Sequence, residues 1–235
     1  MLVSGIPDAL VGTNCWVLAP AAGEECLVVD PGFDVLDGLE AVLEQHRLRP
    51  AAVLLTHGHA DHVWSVTPVC GARGIPALVH ADDRYRLTDP LAGLGPQLLA
   101  MLEQHFGPAP RWAEPDDVRT LVSGERLEVA GLGLEVLHAP GHTEGSAVFV
   151  LDAVPEPGGP LGAEGMASTL LSGDVLFAGS IGRSDLAGGD PAAMQRSLRD
   201  VVLPMPDDRL VLPGHGGPTS IGRERRTNPF LLQLS

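Results

Sequence analysis

Residues 52–62 read Ala52-Val53-Leu54-Leu55-Thr56-His57-Gly58-His59-Ala60-Asp61-His62, and the fold turns on this stretch. The opening run, residues 52–56, is apolar up to its final threonine, as a strand covered on both faces is. It delivers three imidazoles and a carboxylate within six residues, and side chains of that kind cannot all be core. Imidazole suits zinc and iron, and a carboxylate adds charge compensation. The i, i+2 spacing puts His57 and His59 on the same side of an extended turn. Asp61 and His62 open the next helix and can face a second point nearby. Gly58 and Ala60, read as exposed, leave the backbone room to bend. A solvated histidine-rich turn is the competing reading.

Upstream, residues 14–20 and 26–30 are short apolar runs separated by a turn-rich segment, which predicts a β-hairpin. Asp30-Pro31-Gly32 stops the second run. Residues 35–47 place Leu36, Leu39, Val42 and Leu43 at amphipathic helix spacing. Downstream, a helix over 61–72 and a strand over 76–80 follow. This βαβα rhythm implies a buried sheet with helices against it. Residues 81–120 are rich in Asp, Pro and Arg, with one helical patch at 97–105. They read as an insert beside the site, either a substrate lid or a surface helical excursion.

A second half begins near Leu121, with strands at 127–129, 134–138, 147–151, 169–174 and 210–212 and a helix over 191–201. Residues 153–168 are Pro/Gly-rich and aperiodic, the composition of a long mobile hairpin loop. The two halves suggest a pseudo-duplication inside one domain spanning 1–235. Three further residues share the signature of a polar ligand right after an apolar strand: His142, Asp174 and His215. Singly each is weak. Together with the 57–62 segment they are strong, because ligands at strand ends converge on one rim of a sheet.

Composition narrows the function. The chain has 235 residues, 44% hydrophobic and 19% charged, which excludes global disorder and coiled-coil architecture. Its formal net charge is −15, and all 15 basic residues are arginine. A phosphate-tracking surface needs a basic face, so nucleic acid is excluded as a general partner. Three cysteines without a CxxC pair show neither a thiolate cage nor a disulfide framework; Cys15 and Cys26 lie on segments that could pair, and buried free thiols are the simpler reading. No positive n-region with an apolar h-region opens the chain, and no apolar run is long enough to span a membrane. A reducing cytoplasm and no membrane partner are the expectation.

The set of spacings resembles the metallo-β-lactamase superfamily, and within it the short glyoxalase II-like hydrolases. Further look-alike stretches are Gly141-His142-Thr143-Glu144-Gly145-Ser146, Gly182-Arg183-Ser184-Asp185-Leu186, and Gly222-Arg223-Glu224-Arg225 with Asn228-Pro229-Phe230. The resemblance implies an α/β fold, a four-layer αββα sandwich, with a two-metal site between the sheets. By that pattern His57, His59 and His142 hold one metal, Asp61, His62 and His215 the other, and Asp174 bridges them. The ions implied are zinc, with iron or manganese accepted by similar ligands. The activity implied is hydrolysis of a small-molecule thioester such as S-lactoylglutathione by a metal-bridging hydroxide, with Asp61 as the catalytic residue orienting it.

Departures from the pattern bear on the substrate. Only 20 residues follow His215, so the helical domain that grips glutathione in full-length type II glyoxalases is not expected, and another low-molecular-weight thiol is open as carrier. Asp174 stands where β-lactamases of the superfamily carry Cys or Ser, and Phe177 where its lactonases carry Tyr. Persulfide dioxygenases, with one iron on the residues matched by His57, His142 and Asp174, share the same segment and are the alternative. Arg183, Tyr85 and His80 are candidate substrate contacts. Asp30 is a candidate support for a ligating imidazole, while His46, His105 and His138 read as structural.

Overall fold

The computed structural model describes residues 1–92, 94–107, 112–156, 161 and 163–234. The apolar run before the histidines forms β4 (Arg49–Leu54), which is flanked by parallel neighbours, β3 (Glu25–Val29) and β5 (Ala77–His80). β3 is the hairpin partner of β2 (Asn14–Ala19). The pattern did not disclose β1 (Leu2–Pro7), an antiparallel edge strand on β2. β6 (Val118–Leu121) lies parallel to β5 and closes the first sheet, so residues 118–120 belong to the sheet and not to the insert expected over 81–120. The second sheet contains β7 (Arg126–Val129), β8 (Leu132–His138), β9 (Ala147–Leu151), β10 (Ser168–Gly173), β11 (Arg209–Pro213) and β12 (Thr219–Ser220). Both sheets run in chain order, β1 to β6 and β7 to β12.

Strand alternation explains the four layers. Leu27, Val29 and Leu54 meet Leu134, Val136, Phe149 and Leu171 between the sheets. Their sequence neighbours Cys26, Val28, Val53 and Leu55 point the other way, onto α1 (Leu36–His46) and the helices after β4. Val148, Val150, Leu170 and Val211 cover the opposite outer face with α5 (Pro191–Ser197) and the π-turn Leu198–Val202 that continues it. Burying each such Leu, Val or Phe contributes about 1.5–3 kcal/mol. The αββα sandwich implied by the resemblance is thus built on strands that are apolar on both faces, one face meeting the other sheet and one meeting helices.

The helix expected over 61–72 is two helices, α2 (Ala60–Val63) and α3 (Val66–Arg73). Ser65 breaks it: its amide donates to Pro31 O at 2.9 Å and its hydroxyl to Gly32 O at 2.7 Å. After β5 comes the 3-10 turn Ala81–Leu87, then α4 (Pro96–Phe106). Residues 93 and 108–111 of the expected insert, and 157–160 and 162 of the expected 153–168 loop, lie outside the described residues. The chain ends with α6 (Ile221–Thr227) and α7 (Pro229–Leu232), which the sequence pattern missed along with β12. Among the described residues no helix is long and apolar enough to cross a membrane.

Candidate metal centre

Four strands end at one place. β4 leads to His57 and His59, β8 to His142, β10 to Asp174 and β11 to His215. His57 Nε2, His59 Nδ1 and His142 Nε2 face one another at 3.1, 2.8 and 3.1 Å. Beside them, Asp61 Oδ2 lies 3.3 Å from both His62 Nε2 and His215 Nε2. Asp174 stands between the two groups, with Oδ1 3.4 Å from His62 Nε2 and Oδ2 3.4 Å from His142 Nε2 and 3.5 Å from His215 Nε2. All seven residues expected as ligands are thus brought together. The approach is so close that a Cβ on Gly214 would run into Asp174 Oδ1 and the His62 ring.

The partners behind the rings decide which nitrogen faces inward. His142 Nδ1 lies 2.7 Å from Arg183 O, an acceptor only, so the proton sits on Nδ1 and the Nε2 lone pair points to the centre. His62 Nδ1 lies 2.9 Å from Asp30 Oδ2, with the same consequence. Thr56 Oγ1 donates to Asp30 Oδ2 at 2.6 Å and so accepts from His57 Nδ1 at 3.1 Å. One buried carboxylate, Asp30, therefore orients two imidazoles, one directly and one through a hydroxyl. Its role as support, expected from its place at a strand end, is what the geometry displays.

Protonation follows the same division. Burial, with the surrounding histidines, holds His57 well below its ordinary pKa, and burial and His142 lower His59 to about 3. Burial lowers His142 also. For Asp61, burial opposes ionisation, but the charge of His62 and the bond from His215 prevail and keep it well below the usual carboxylate range. His62 and His215 move upward because facing carboxylates outweigh burial. One side is a neutral imidazole trio, and the other pairs imidazoles with anions.

Loops are locked behind the ligands by residues that sequence reasoning passed over. Asp83, fully buried, accepts from Gly58 N at 2.7 Å, Thr143 Oγ1 at 2.7 Å and Gly145 N at 2.8 Å. It ties the 57–62 loop to the loop carrying His142. Gly58 is buried, not exposed, because Arg86 fills the space where its Cβ would stand. Asp83 sits in His80-Ala81-Asp82-Asp83-Arg84, where a helix-start carboxylate is the ordinary reading, so no signal set it apart. The 222–230 stretch has a comparable task. Glu224 accepts from Gly179 N at 2.7 Å and Thr219 Oγ1 at 2.6 Å, and Asn228 Nδ2 donates to Ser180 O at 3.0 Å, which holds the segment after Asp174.

The expected substrate contacts separate. Arg183 contributes its backbone carbonyl to His142, while its guanidinium pairs with Asp185 at 2.8 Å on the surface. Tyr85 is exposed, reaches Glu144 at 3.2 Å, and lines a cavity of about 190 Å3 with Gly58 and Arg86. Arg86 and Glu144, neither anticipated there, bond at 2.5 Å. His80 is buried and stacks on His138. His105 pairs with Asp34 at 2.6 Å, and His46 lies in the last turn of α1.

The donor set fits divalent metal. Among the described residues, His62 Nε2 and Asp174 Oδ1 are buried without a hydrogen-bond partner, and both face the centre. Converging imidazole lone pairs and unpaired carboxylate oxygens are costly in a protein interior unless a cation joins them. Fold and rim together define an αββα protein with His/Asp clusters able to bind metal. A profile of the metallo-beta-lactamase superfamily, made up mostly of metal-dependent hydrolases, matches residues 9–155, and the chain belongs to that superfamily.

The chain is 43% identical to an uncharacterized protein of Mycobacterium tuberculosis over 237 residues, covering 100% of both chains. It is 32% identical to hydroxyacylglutathione hydrolase GloC of Haemophilus influenzae, again over 100% of both. Among solved structures, the BLEG-1 B3 metallo-beta-lactamase superposes with a TM-score of 0.78 at 34% identity, over 98% of this chain and 99% of that one. TTHA1623 in a di-iron-bound form gives 0.73 at 34% identity, over 97% and 100%.

Proposed function

We propose that the protein is a thioester hydrolase with a dinuclear centre, acting on an acyl thioester of a low-molecular-weight thiol such as S-lactoylglutathione. The observation that carries the reading is the carboxylate of Asp174, its oxygens directed at histidines of both clusters. His57, His59 and His142 would hold one ion, Asp61, His62 and His215 the other, and Asp174 would touch both. Two divalent ions supply Lewis acidity and lower the pKa of water from 15.7 to about 7. Zinc suits the imidazole-rich set, and iron is supported by the di-iron form of the relative TTHA1623.

The chain's own groups then divide the work. Asp61 Oδ2 accepts from Thr13 Oγ1 at 2.7 Å, which fixes the carboxylate beside the centre, where it would orient the attacking water. Asp30 keeps His57 and His62 in the ligating tautomer. Tyr85, in the cavity next to Gly58, would receive the acyl or thiol portion of the substrate. The Arg183 guanidinium would meet an anionic carrier group only by leaving Asp185. His80, paired with Asp82 and His138, is better assigned elsewhere.

End-to-end similarity to GloC supports the thioester over other acyl substrates. The test is elemental analysis of the purified protein together with thioesters on several thiol carriers, a β-lactam, and oxygen uptake with a persulfide. Two ions per chain and oxygen-independent thioester turnover that ends on chelation are expected. One iron with oxygen consumption would replace the proposal by a persulfide dioxygenase. β-Lactam turnover exceeding thioester turnover would move it toward the activity for which BLEG-1 is named.

A further inference from the structure

A second histidine cluster shares no residue with the centre described above. β5 ends at His80 and β8 at His138, one strand from each sheet. Their rings stack at 4.0 Å between centroids and 9° between planes. Asp82 Oδ2 lies 3.8 Å from His80 Nδ1 and 3.8 Å from His138 Nε2, and one ligand atom from each of the three residues falls within 4.8 Å of the others. We propose that His80, Asp82 and His138 form a further site for a divalent transition-metal ion, distinct from the dinuclear centre.

Two imidazoles and one carboxylate prefer Zn2+, Ni2+ or Cu2+ to Mg2+ or Ca2+. Bonds of 2.0–2.2 Å set ligand atoms roughly 3.0–3.6 Å apart, so the two Asp82 edges need to close by only a few tenths of an ångström. Asp82, 56% exposed at its side chain, supplies that movement, and its exposure gives an ion a route in. His80 offers Nδ1 as its ligand atom, and binding would exchange the long bond that this lone pair now accepts for the ion. Its Nδ1 accepts the Asp82 amide at 3.3 Å, which puts the proton on Nε2 and the lone pair toward Asp82. Burial and the neighbouring His138 lower its pKa, so the ring is neutral as a ligand must be.

His138 is the adjustable member. Its Nε2 lies 2.8 Å from Glu144 O, so it carries the proton there, and binding exchanges that bond and proton for the ion. Parallel rings do not aim both in-plane lone pairs at one point, so one ring must tilt. The His138 side chain is 26% exposed and can turn, whereas that of His80 is 7% exposed and held. The ion would clamp the end of β5 to the end of β8, joining the two sheets beside the His142 loop. It would stabilise the folded chain by mass action as it fills.

The test uses the full chain with its main centre loaded, dialysed to equilibrium against Ni2+ or Zn2+ and assayed by elemental analysis and thermal unfolding. Wild type is expected to bind one equivalent more than His138→Ala and Asp82→Ala, and to gain Tm with added ion where both variants do not. His46→Ala should match wild type. Equal stoichiometry in wild type and Asp82→Ala, an exposed substitution that leaves the core alone, would overturn the proposal. So would an equal loss in His46→Ala, which would signal surface adsorption. The readout is a difference between variants, so it stands apart from the substrate and ion count of the main centre.

Discussion

Asp174 reaches His62 with one oxygen and His142 and His215 with the other, and so stands between the two clusters. Asp174→Ala is therefore expected to abolish both metal retention and thioester turnover, measured by elemental analysis and a thioester assay. His46→Ala, in the last turn of α1, should leave turnover near wild type. If Asp174→Ala kept wild-type turnover, the assignment of the centre would be wrong. Asp30 acts one step further back. Asp30→Asn removes the anion that fixes the His62 tautomer and, through Thr56, that of His57. Metal affinity should fall about 10- to 100-fold, as is usual for groups that orient ligating imidazoles, and competition with a chromophoric chelator would read it. The seven converging residues were legible in the sequence because they are side chains of ligand chemistry in the segments that follow apolar strands. Asp83 was not, since a carboxylate beside another carboxylate at a helix start looks solvated until the fold brings the His142 loop onto it.

Elements meet at the centre only because loops from both sheets are pinned together. Asp83→Ala would leave Gly58 N and Gly145 N without their acceptor in a dry interior, while Thr143 Oγ1 keeps Ser146 Oγ at 2.8 Å. Each abandoned group costs about 1–3 kcal/mol. A loss of at least ~2 kcal/mol in urea unfolding, accompanied by weaker metal retention, is expected, and Asp83→Asn should recover part of it by keeping one acceptor. An unchanged unfolding midpoint would show that the loops hold without this tie. Ser65 illustrates the opposite limit of sequence reading. The apolar spacing continues through it, yet its bonds to Pro31 and Gly32 split one expected helix into α2 and α3. β1 and β12 were missed for a different reason: a six-residue edge strand and a two-residue strand carry too little alternation to stand out.

Over the whole molecule, three free cysteines are buried in the layer between the first sheet and its helices, Cys15 and Cys26 on β2 and β3 and Cys70 on α3. Burial pushes the Cys26 and Cys70 thiols up to about 12 and raises Cys15 as well. The reactive thiolate is thus scarce at any pH where the protein is handled. Native protein at pH 8 is expected to resist alkylation at all three, and denatured protein to be labelled at all three, as mass spectrometry can show. Rapid labelling of native protein would mean that the α1–α3 layer opens readily.

Continuous apolar strands, a histidine-rich segment at a strand end and three distant polar residues after strands were enough to mark buried sheets and the seven residues that converge, because strand burial and metal-ligand chemistry leave local patterns. The four-layer sandwich came from the family resemblance those residues carry. What the tertiary structure alone decided was which nitrogen each ring presents, which buried carboxylates hold the loops, and that His80 meets His138 instead of the centre. Those outcomes depend on contacts between residues far apart in the chain, such as His57 and His142, 85 positions apart, and no local pattern carries the distance at which two loops come to rest.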